Sequence, residues 1–511
     1  MQYMYIKLLV LYNRTSKGEI VSMKVKVKLV LLSLFMVLTL QVNVFAADQT
    51  QLETVIDEQP SEWAVDGVKW SSLYGLVDKD FLSKYQANIN KEELLGIGVN
   101  LYERLTGKEI TPINKSPFTD ASSEKILKAC SIKIIEGKGK LEPKKAATRL
   151  DVTTVIYKTI KAAHPDFNFK ADIKLNHKDA VNLPASISDI VKYIHSKNIL
   201  KGKSNDLLGL NSPCTRQEIM VVVSRAYEFS IHESGKASKG PFWKVSDEDS
   251  SVYLLGSIHI ADPSLYPMSK NILNAFEESD SLVLEIDLAN ITQPDALQYM
   301  QQKMAYQDGD TLDKNVPKEL YDSFIELCKK NNIPEIIARN YKPWAAAMLA
   351  QNFVLAETDM DASLGVDMFF TSKAIGKKEI LEIEGLKFQT DLFDSFSKEL
   401  QIQYLSGVLG SEDSAAQSVD VITHMLKAWK EGNTSDLEEL LESDYDGSKE
   451  MKEFNEKLIT KRNDNMTKKV KEYLADPSRK TYFIVLGAGH MIGDNGIATQ
   501  LKDGYVLEQI K

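Results

Sequence analysis

The sequence predicts two structural classes on one chain. An all-α N-terminal region is built from helix–loop–helix units, and a C-terminal α/β domain has a central sheet flanked by helices, with its site at the carboxyl ends of the strands. Three observations lead there. The chain has 511 residues, more than one hydrophobic core ordinarily serves. Polar-capped apolar helices recur before residue 230, with Glu93, Asp151 and Glu218 spaced by 58 and 67 residues. Beyond residue 241, short apolar strands alternate with long amphipathic helices. Hydrophobic residues at 43% and charged residues at 26% exclude a largely disordered or fibrous chain. Acidic residues outnumber basic ones by 72 to 62, so no nucleic-acid partner is expected, because that needs a basic face to displace phosphate counterions. Cys130, Cys214 and Cys328 form no C-x-x-C pair and read as small apolar core residues.

Residues 1–46 read as a signal peptide. Lys24, Lys26 and Lys28 precede a twelve-residue apolar run, Leu29 to Leu40, and Val44-Phe45-Ala46 supplies the small residues of a cleavage site. The run is short of the ~20 residues a spanning helix needs; an uncleaved anchor over residues 29–47 is the alternative. Residues 1–22 fit neither scheme, and Met23 is the alternative start. Removing six basic residues and one acidic residue leaves a net charge of −15. An exported, acidic protein is expected.

Three units follow, at residues 50–110, 115–165 and 180–230. Each long helix opens on a polar residue with an acid three positions on: Asn90 and Glu93, Thr148 and Asp151, Thr215 and Glu218. Cap and acid can satisfy each other's backbone amides. A shorter helix and a glycine-bearing loop precede each: residues 63–73 with Gly75, 124–130 with Gly137 and Gly139, 187–195 with Gly202. Thr148-Arg149-Leu150-Asp151 and Thr215-Arg216-Gln217-Glu218, the prolines Pro143 and Pro213, Trp63-Ala64 and Phe118-Thr119-Asp120 make the region resemble the S-layer homology (SLH) repeat. The resemblance implies cell-wall association through an anionic, pyruvylated secondary wall polysaccharide, with Arg149 and Arg216 as its contacts; a planar guanidinium matches carboxylates. The first unit departs from the pattern with Asn90-Lys91, and the second lacks the Trp-Ala pair. Plain scaffold helices are the competing reading. Residues 231–240, with Ser234, Gly235, Ser238 and Gly240, read as a linker.

In residues 241–511, strands are expected at 242–245, 252–255, 281–286, 379–383, 482–486 and 505–509. Helices are expected at 269–279, 318–330, 345–356, 395–408 and 455–474. After the second strand comes Gly256-Ser257-Ile258-His259; Glu285 ends the third; Glu384 follows the fourth; Gly487-Ala488-Gly489-His490 follows the fifth. Ligand crevices of open α/β sheets lie beyond the carboxyl ends of strands, so two histidines and two glutamates are expected at one edge. Two of only seven histidines share this context. Imidazole with carboxylate is ligand chemistry for a hydrolytic divalent metal, although the spacing is not H-E-x-x-H.

Phe242-Trp243-Lys244-Val245, the two G-x-x-H motifs, Leu284-Glu285-Ile286-Asp287, Gly365-Val366-Asp367, Ile383-Glu384 with Gln389, and Arg462-Asn463 with Met466 together resemble the TraB/PrgY/GumN family, which includes the animal Tiki proteins. That resemblance implies a metal-dependent protease needing Mn²⁺ or Co²⁺, two histidines and a glutamate. Its bacterial relatives include a protein that blocks a peptide pheromone. The expected function is an exported, wall-associated, peptidase-like hydrolase acting on a peptide or protein. His259 and His490 are the metal ligands; Glu285 is a ligand or base; Glu384 and Arg462 support or polarise. Asp367 has an equal reading as a structural cap and stays outside the site. The alternatives are a non-catalytic module that sequesters a signalling peptide, and metal-free hydrolysis with histidine as base.

Overall fold

The computed structural model describes residues 59–511 apart from 204–205, 292, 411 and 443–446. The expected signal segment, 1–46, lies outside the described residues. Among the described residues no helix is long and apolar enough to cross a membrane. The chain divides into two compact units between Ala237 and Ser238.

The N-terminal unit is all-helical: α1 (Val65–Leu73), α2 (Lys91–Thr106), α3 (Glu124–Ser131), α4 (Arg149–Ala163), α5 (Ala185–Ser196) and α6 (Arg216–Glu233). Capping boxes start α2, α4 and α6 from Asn90, Thr148 and Thr215. The residue before each cap closes a three-membered ring of backbone bonds. Ile89 N–H donates to Cys214 O, Cys214 N–H to Ala147 O and Ala147 N–H to Ile89 O, each at 2.9 Å. The first residue of each long helix reaches a loop outside its own helix. Lys91 Nζ donates to Leu141 O at 3.1 Å. Arg149 donates to Leu208 O and Lys201 O, both at 2.9 Å, and faces Glu218 at 3.5 Å. Arg216 donates to Asp80 O at 2.7 Å and Ser83 O at 3.2 Å, and stacks on Phe81. Arg149 is buried and ties the start of α4 to residues 201–208 and to the start of α6. The last helix runs to Glu233, three residues into the expected linker.

The C-terminal unit begins with β1 (Phe242–Ser246), β2 (Ser251–Ser257), α7 (Lys270–Glu278), β3 (Ser281–Leu284), α8 (Pro294–Met304), α9 (Lys318–Lys330), α10 (Glu335–Ala338), α11 (Pro343–Ala356), α12 (Val366–Ala374) and β4 (Glu379–Glu382). It continues with α13 (Leu386–Asp394), α14 (Lys398–Val408), α15 (Glu412–Glu431), α16 (Thr434–Glu442), α17 (Lys449–Asn455), α18 (Lys461–Leu474), β5 (Tyr482–Gly487), α19 (Ala488–Met491), α20 (Ile497–Leu501) and β6 (Val506–Gln509). The six strands form one mixed sheet in the order β4-β3-β5-β2-β1-β6. Neighbours from β4 to β2 run parallel, whereas β1 is antiparallel to both β2 and β6. The central strand β5 is buried at every residue, which is why Tyr482-Phe483-Ile484-Val485-Leu486 reads as a continuous apolar run.

Alternation sends the strands' side chains to two faces. Val252, Leu254, Val283, Ile484 and Leu486 pack with Met466 and Val470 of α18. Phe483 meets Phe242, Phe276 and Phe370, the last from α12. A separate helical core gathers Trp344, Phe324, Leu400 and Phe454. The helix expected over 395–408 is preceded by a separate one, α13, across the short turn at Ser395–Ser397. The helix expected over 455–474 is instead α17, a π-helical turn (Glu456–Thr460) and α18.

Candidate active site

Four parallel strands end at one edge, and each places a site residue within three positions of its last. His259 lies two residues past β2, Glu285 directly after β3, Glu384 two past β4, and His490 three past β5 on α19. The β3–β4 ladder continues one rung beyond both strands. Ile383 N–H donates to Leu284 O at 2.9 Å and Glu384 N–H to Glu285 O at 3.1 Å, so the two carboxylates stand side by side. Helix α12 approaches from one face of the sheet and α18 from the other.

Arg462 on α18 holds both carboxylates. Its Nη2 donates to Glu285 Oε2 at 2.6 Å and Glu384 Oε2 at 2.8 Å, and its Nε to Glu384 Oε1 at 2.8 Å. Nη1 meets Leu458 O, inside the π-helical turn, at 3.4 Å. Gln389 of α13 donates its Nε2 to the same two carboxylates, at 3.1 and 3.0 Å. The other oxygen of Glu285 accepts the Gly487 N–H at 2.7 Å. Burial works against a charged Glu285, but Arg462 foremost, then His490, His259 and the Gly487 amide, hold its pKa down at about 2. Burial likewise opposes charge on Arg462, and the two carboxylates push its pKa further up.

The two imidazoles are set differently. His259 Nδ1 lies 2.6 Å from Asp367 Oδ2. Burial disfavours its cation, but the Asp367 carboxylate prevails and raises the pKa above the ordinary histidine value. His490 Nδ1 lies 2.6 Å from Asn463 Oδ1. Burial, with Arg462 adding to it, lowers its pKa to about 3, so the ring is neutral at pH 7. The α12 contact depends on Gly365: a Cβ there would overlap the His259 carbonyl. The bare backbone lets Val366 N–H reach Ile258 O at 2.9 Å, which carries Asp367 onto the ring. Gly256 does the same for the strand ends, since its Cβ would lie within 3.0 Å of Ala488 Cα.

The structure thus brings together His259, His490, Glu285, Glu384 and Arg462 and adds three residues. Asp367, Gln389 and Asn463 occur in the motif segments, yet nothing in their spacing announces a role. Adjacency to Arg462 and distance from Glu384 are the only local signals. All eight side chains are at least nine-tenths buried. Arg149 and Arg216 lie in the other unit, with their guanidinium groups engaged by backbone carbonyls.

The donor chemistry fits a divalent cation in one respect. Both Nδ1 atoms are held by side-chain oxygens, the arrangement by which proteins orient imidazoles to present Nε2 to a metal. Two carboxylates, Glu285 and Glu384, share the Arg462 guanidinium, and a third, Asp367, faces His259. Among the described residues no group of three or more His, Cys, Asp or Glu side chains is close enough to hold an ion; the two imidazoles are the donors whose Nδ1 atoms side chains hold.

The chain is 22% identical over 343 residues to "Metalloprotease TIKI1" of Danio rerio, covering 56% of this chain and 68% of that protein. It is 21% identical over 179 residues to an uncharacterised protein of Treponema pallidum (strain Nichols), covering 34% of this chain and about half, 52%, of that one. The family model described as TraB/PrgY/gumN matches residues 241–509. That match begins one residue before β1, ends at the last residue of β6 and includes every residue of the buried cluster, so the chain belongs to the TraB/PrgY/gumN family.

Proposed function

We propose that the C-terminal domain is a metal-dependent hydrolase of peptide bonds, with His259 and His490 as its metal ligands. The observation that carries this reading is the pairing of both Nδ1 atoms with side-chain oxygens, which orients two imidazoles, distant in sequence but on neighbouring strand ends, in one buried cluster. A divalent ion such as Mn²⁺ or Co²⁺, when bound, supplies Lewis-acid chemistry, acidifying water and polarising a carbonyl. The protein's own residues do the rest. Asp367 and Asn463 orient the rings. Arg462 and Gln389 fix the paired carboxylates. Glu285, whose carboxylate Arg462 holds in its charged form against burial, would serve as a fixed anion in the cluster. The distant likeness to a metalloprotease supports the reaction class. Export through residues 1–46 and retention at the wall by the N-terminal unit belong to the same proposal, with the membrane-anchored form as its alternative.

One observation favours a second reading, a module that sequesters a peptide without cleaving it. The cluster is deeply buried, so an ion reaches it more readily than a peptide does. The deciding experiment measures bound metal and cleavage of a peptide library by the full-length protein. His259→Ala and His490→Ala should lose metal and cleavage together. A metal-replete, folded parent that cleaves no peptide sinks the hydrolase reading.

A further inference from the structure

We infer that Asn463 is a positioning residue that fixes His490 in the Nδ1–H tautomer, and that the backbone carbonyl of Asn495 fixes Asn463 in turn. Asn463 Nδ2 lies 2.7 Å from Asn495 O. A backbone carbonyl can only accept, so the amide must present its NH₂ there and its oxygen to the other side. That oxygen lies 2.6 Å from His490 Nδ1. An amide oxygen also only accepts, so Nδ1 carries the proton and Nε2 of the neutral ring carries the lone pair. Each partner admits one assignment, and the chain of three groups has one solution.

The surroundings hold this arrangement. Asn463 is fully buried, so water does not compete for its amide. Asn495 O accepts a second bond, from Gln500 Nε2 at 3.1 Å, and the same Nε2 lies 3.1 Å from Asp464 Oδ1. The loop of residues 492–496 and α18 are thereby tied on both sides of the amide. His259 is held by a carboxylate, which raises its basicity; His490 is held by a neutral amide, which directs its proton without adding an anion. Asn463 therefore sets which nitrogen of His490 works, while Asp367 sets how strongly His259 attracts protons.

The test is nitrogen-15 NMR of the metal-free, full-length protein labelled at histidine, at neutral pH, with the His490 signals identified by their loss in His490→Gln. The parent should show Nδ1 protonated and Nε2 bare. Asn463→Leu, which removes the acceptor, should shift the population towards Nε2–H. Asn463→Asp, which keeps an acceptor, should retain Nδ1–H. A parent ring protonated at Nε2 overturns the inference, and so does an Asn463→Leu ring still protonated at Nδ1. Should Asn463→Leu fail to fold, as judged by amide exchange in β5, the parent spectrum decides alone. Only the functional consequence rests on the proposed metal site: Co²⁺ should bind Asn463→Leu about 10–100-fold more weakly, the usual worth of an outer partner of a metal-binding histidine. A tautomer that responds in a protein that binds neither Mn²⁺ nor Co²⁺ leaves the inference standing and removes the metal reading.

Discussion

Arg462 Nη2 lies 2.6 Å from Glu285 and 2.8 Å from Glu384, so one buried guanidinium serves two carboxylates from adjacent strand ends. Removing one partner of a buried ion pair costs about 3–5 kcal/mol, because the remaining charge stays desolvated. Arg462→Met strands two such charges and should cost at least that much. Arg462→Lys keeps a cation but cannot match the fork of Nε and Nη2, so it should recover only part of the loss. Urea denaturation of the full-length variants measures both; equal stability of Arg462→Met and the parent would show that the cluster is not held this way.

Arg149 is the comparable residue of the N-terminal unit. Its guanidinium satisfies Leu208 O and Lys201 O, and Arg149→Ala orphans both carbonyls and removes one of the two cations, Arg149 and Lys203, paired with Glu218. The expected cost is about 3 kcal/mol, seen as faster amide exchange in α4 and α6. A loss of wall-polymer binding by this variant would therefore report the fold first. Arg216, which is less buried and keeps Phe81 beneath it, is the better probe of polymer contact, and Arg216→Ala should cost under half as much.

Legibility in the sequence followed the range of the interactions. The caps at Asn90, Thr148 and Thr215 are local, and all three form capping boxes. The strand ends were legible because apolar runs stop at glycine or glutamate. The cyclic contacts of Lys91, Arg149 and Arg216 were not, because each joins residues about 50 or more positions apart. The same holds for Asp367 on His259, 108 residues away. A π-helical turn left no mark either: residues 455–474 read as one amphipathic helix, and only the structure shows the extra residue per turn ahead of Arg462 and Asn463.

Gly365 should tolerate no side chain. Its Cβ would overlap the His259 carbonyl, so in Gly365→Ala either α12 or the His259 loop must shift. Overpacking of this kind costs about 1–3 kcal/mol. It should also lengthen the contact between Asp367 and His259, read as a changed His259 imidazole signal. An unaltered signal would show that the helix start yields without moving Asp367.

Glu218 gives the N-terminal unit a pH dependence. Burial opposes its charge, but Lys203, the Thr215 amide and Arg149 together lower its pKa below the ordinary 4.5. A depressed carboxylate contributes stability that is fully present above the unfolded-state pKa and is lost as pH falls through the folded-state value. The unit should therefore weaken below about pH 4.5, and Glu218→Gln should flatten that dependence while lowering stability at pH 7. Thermal melts between pH 3 and 7, resolved by amide exchange in α6, check the sign; a parent that gains stability on acidification contradicts it.

Glu285→Gln is the informative change at the candidate active site, although it is not electrostatically silent. Glu285 uses both oxygens as acceptors, one for Gly487 N–H and one for Arg462 and Gln389. A glutamine has one acceptor oxygen, so its NH₂ must face a donor whichever way it turns. The variant should lose about 1–3 kcal/mol, and Glu384→Gln supplies the control for weakening Arg462's other partner. Under the proposed metal reading, the two variants then diverge. Glu285 is coupled electrostatically to both imidazoles, so Glu285→Gln should reduce metal occupancy and cleavage together. Glu384→Gln, one carboxylate further out, should retain more metal at similar stability. Cleavage lost in Glu285→Gln at full metal occupancy would mean that this carboxylate acts on the substrate or on water, and its assignment as a fixed anion would be wrong.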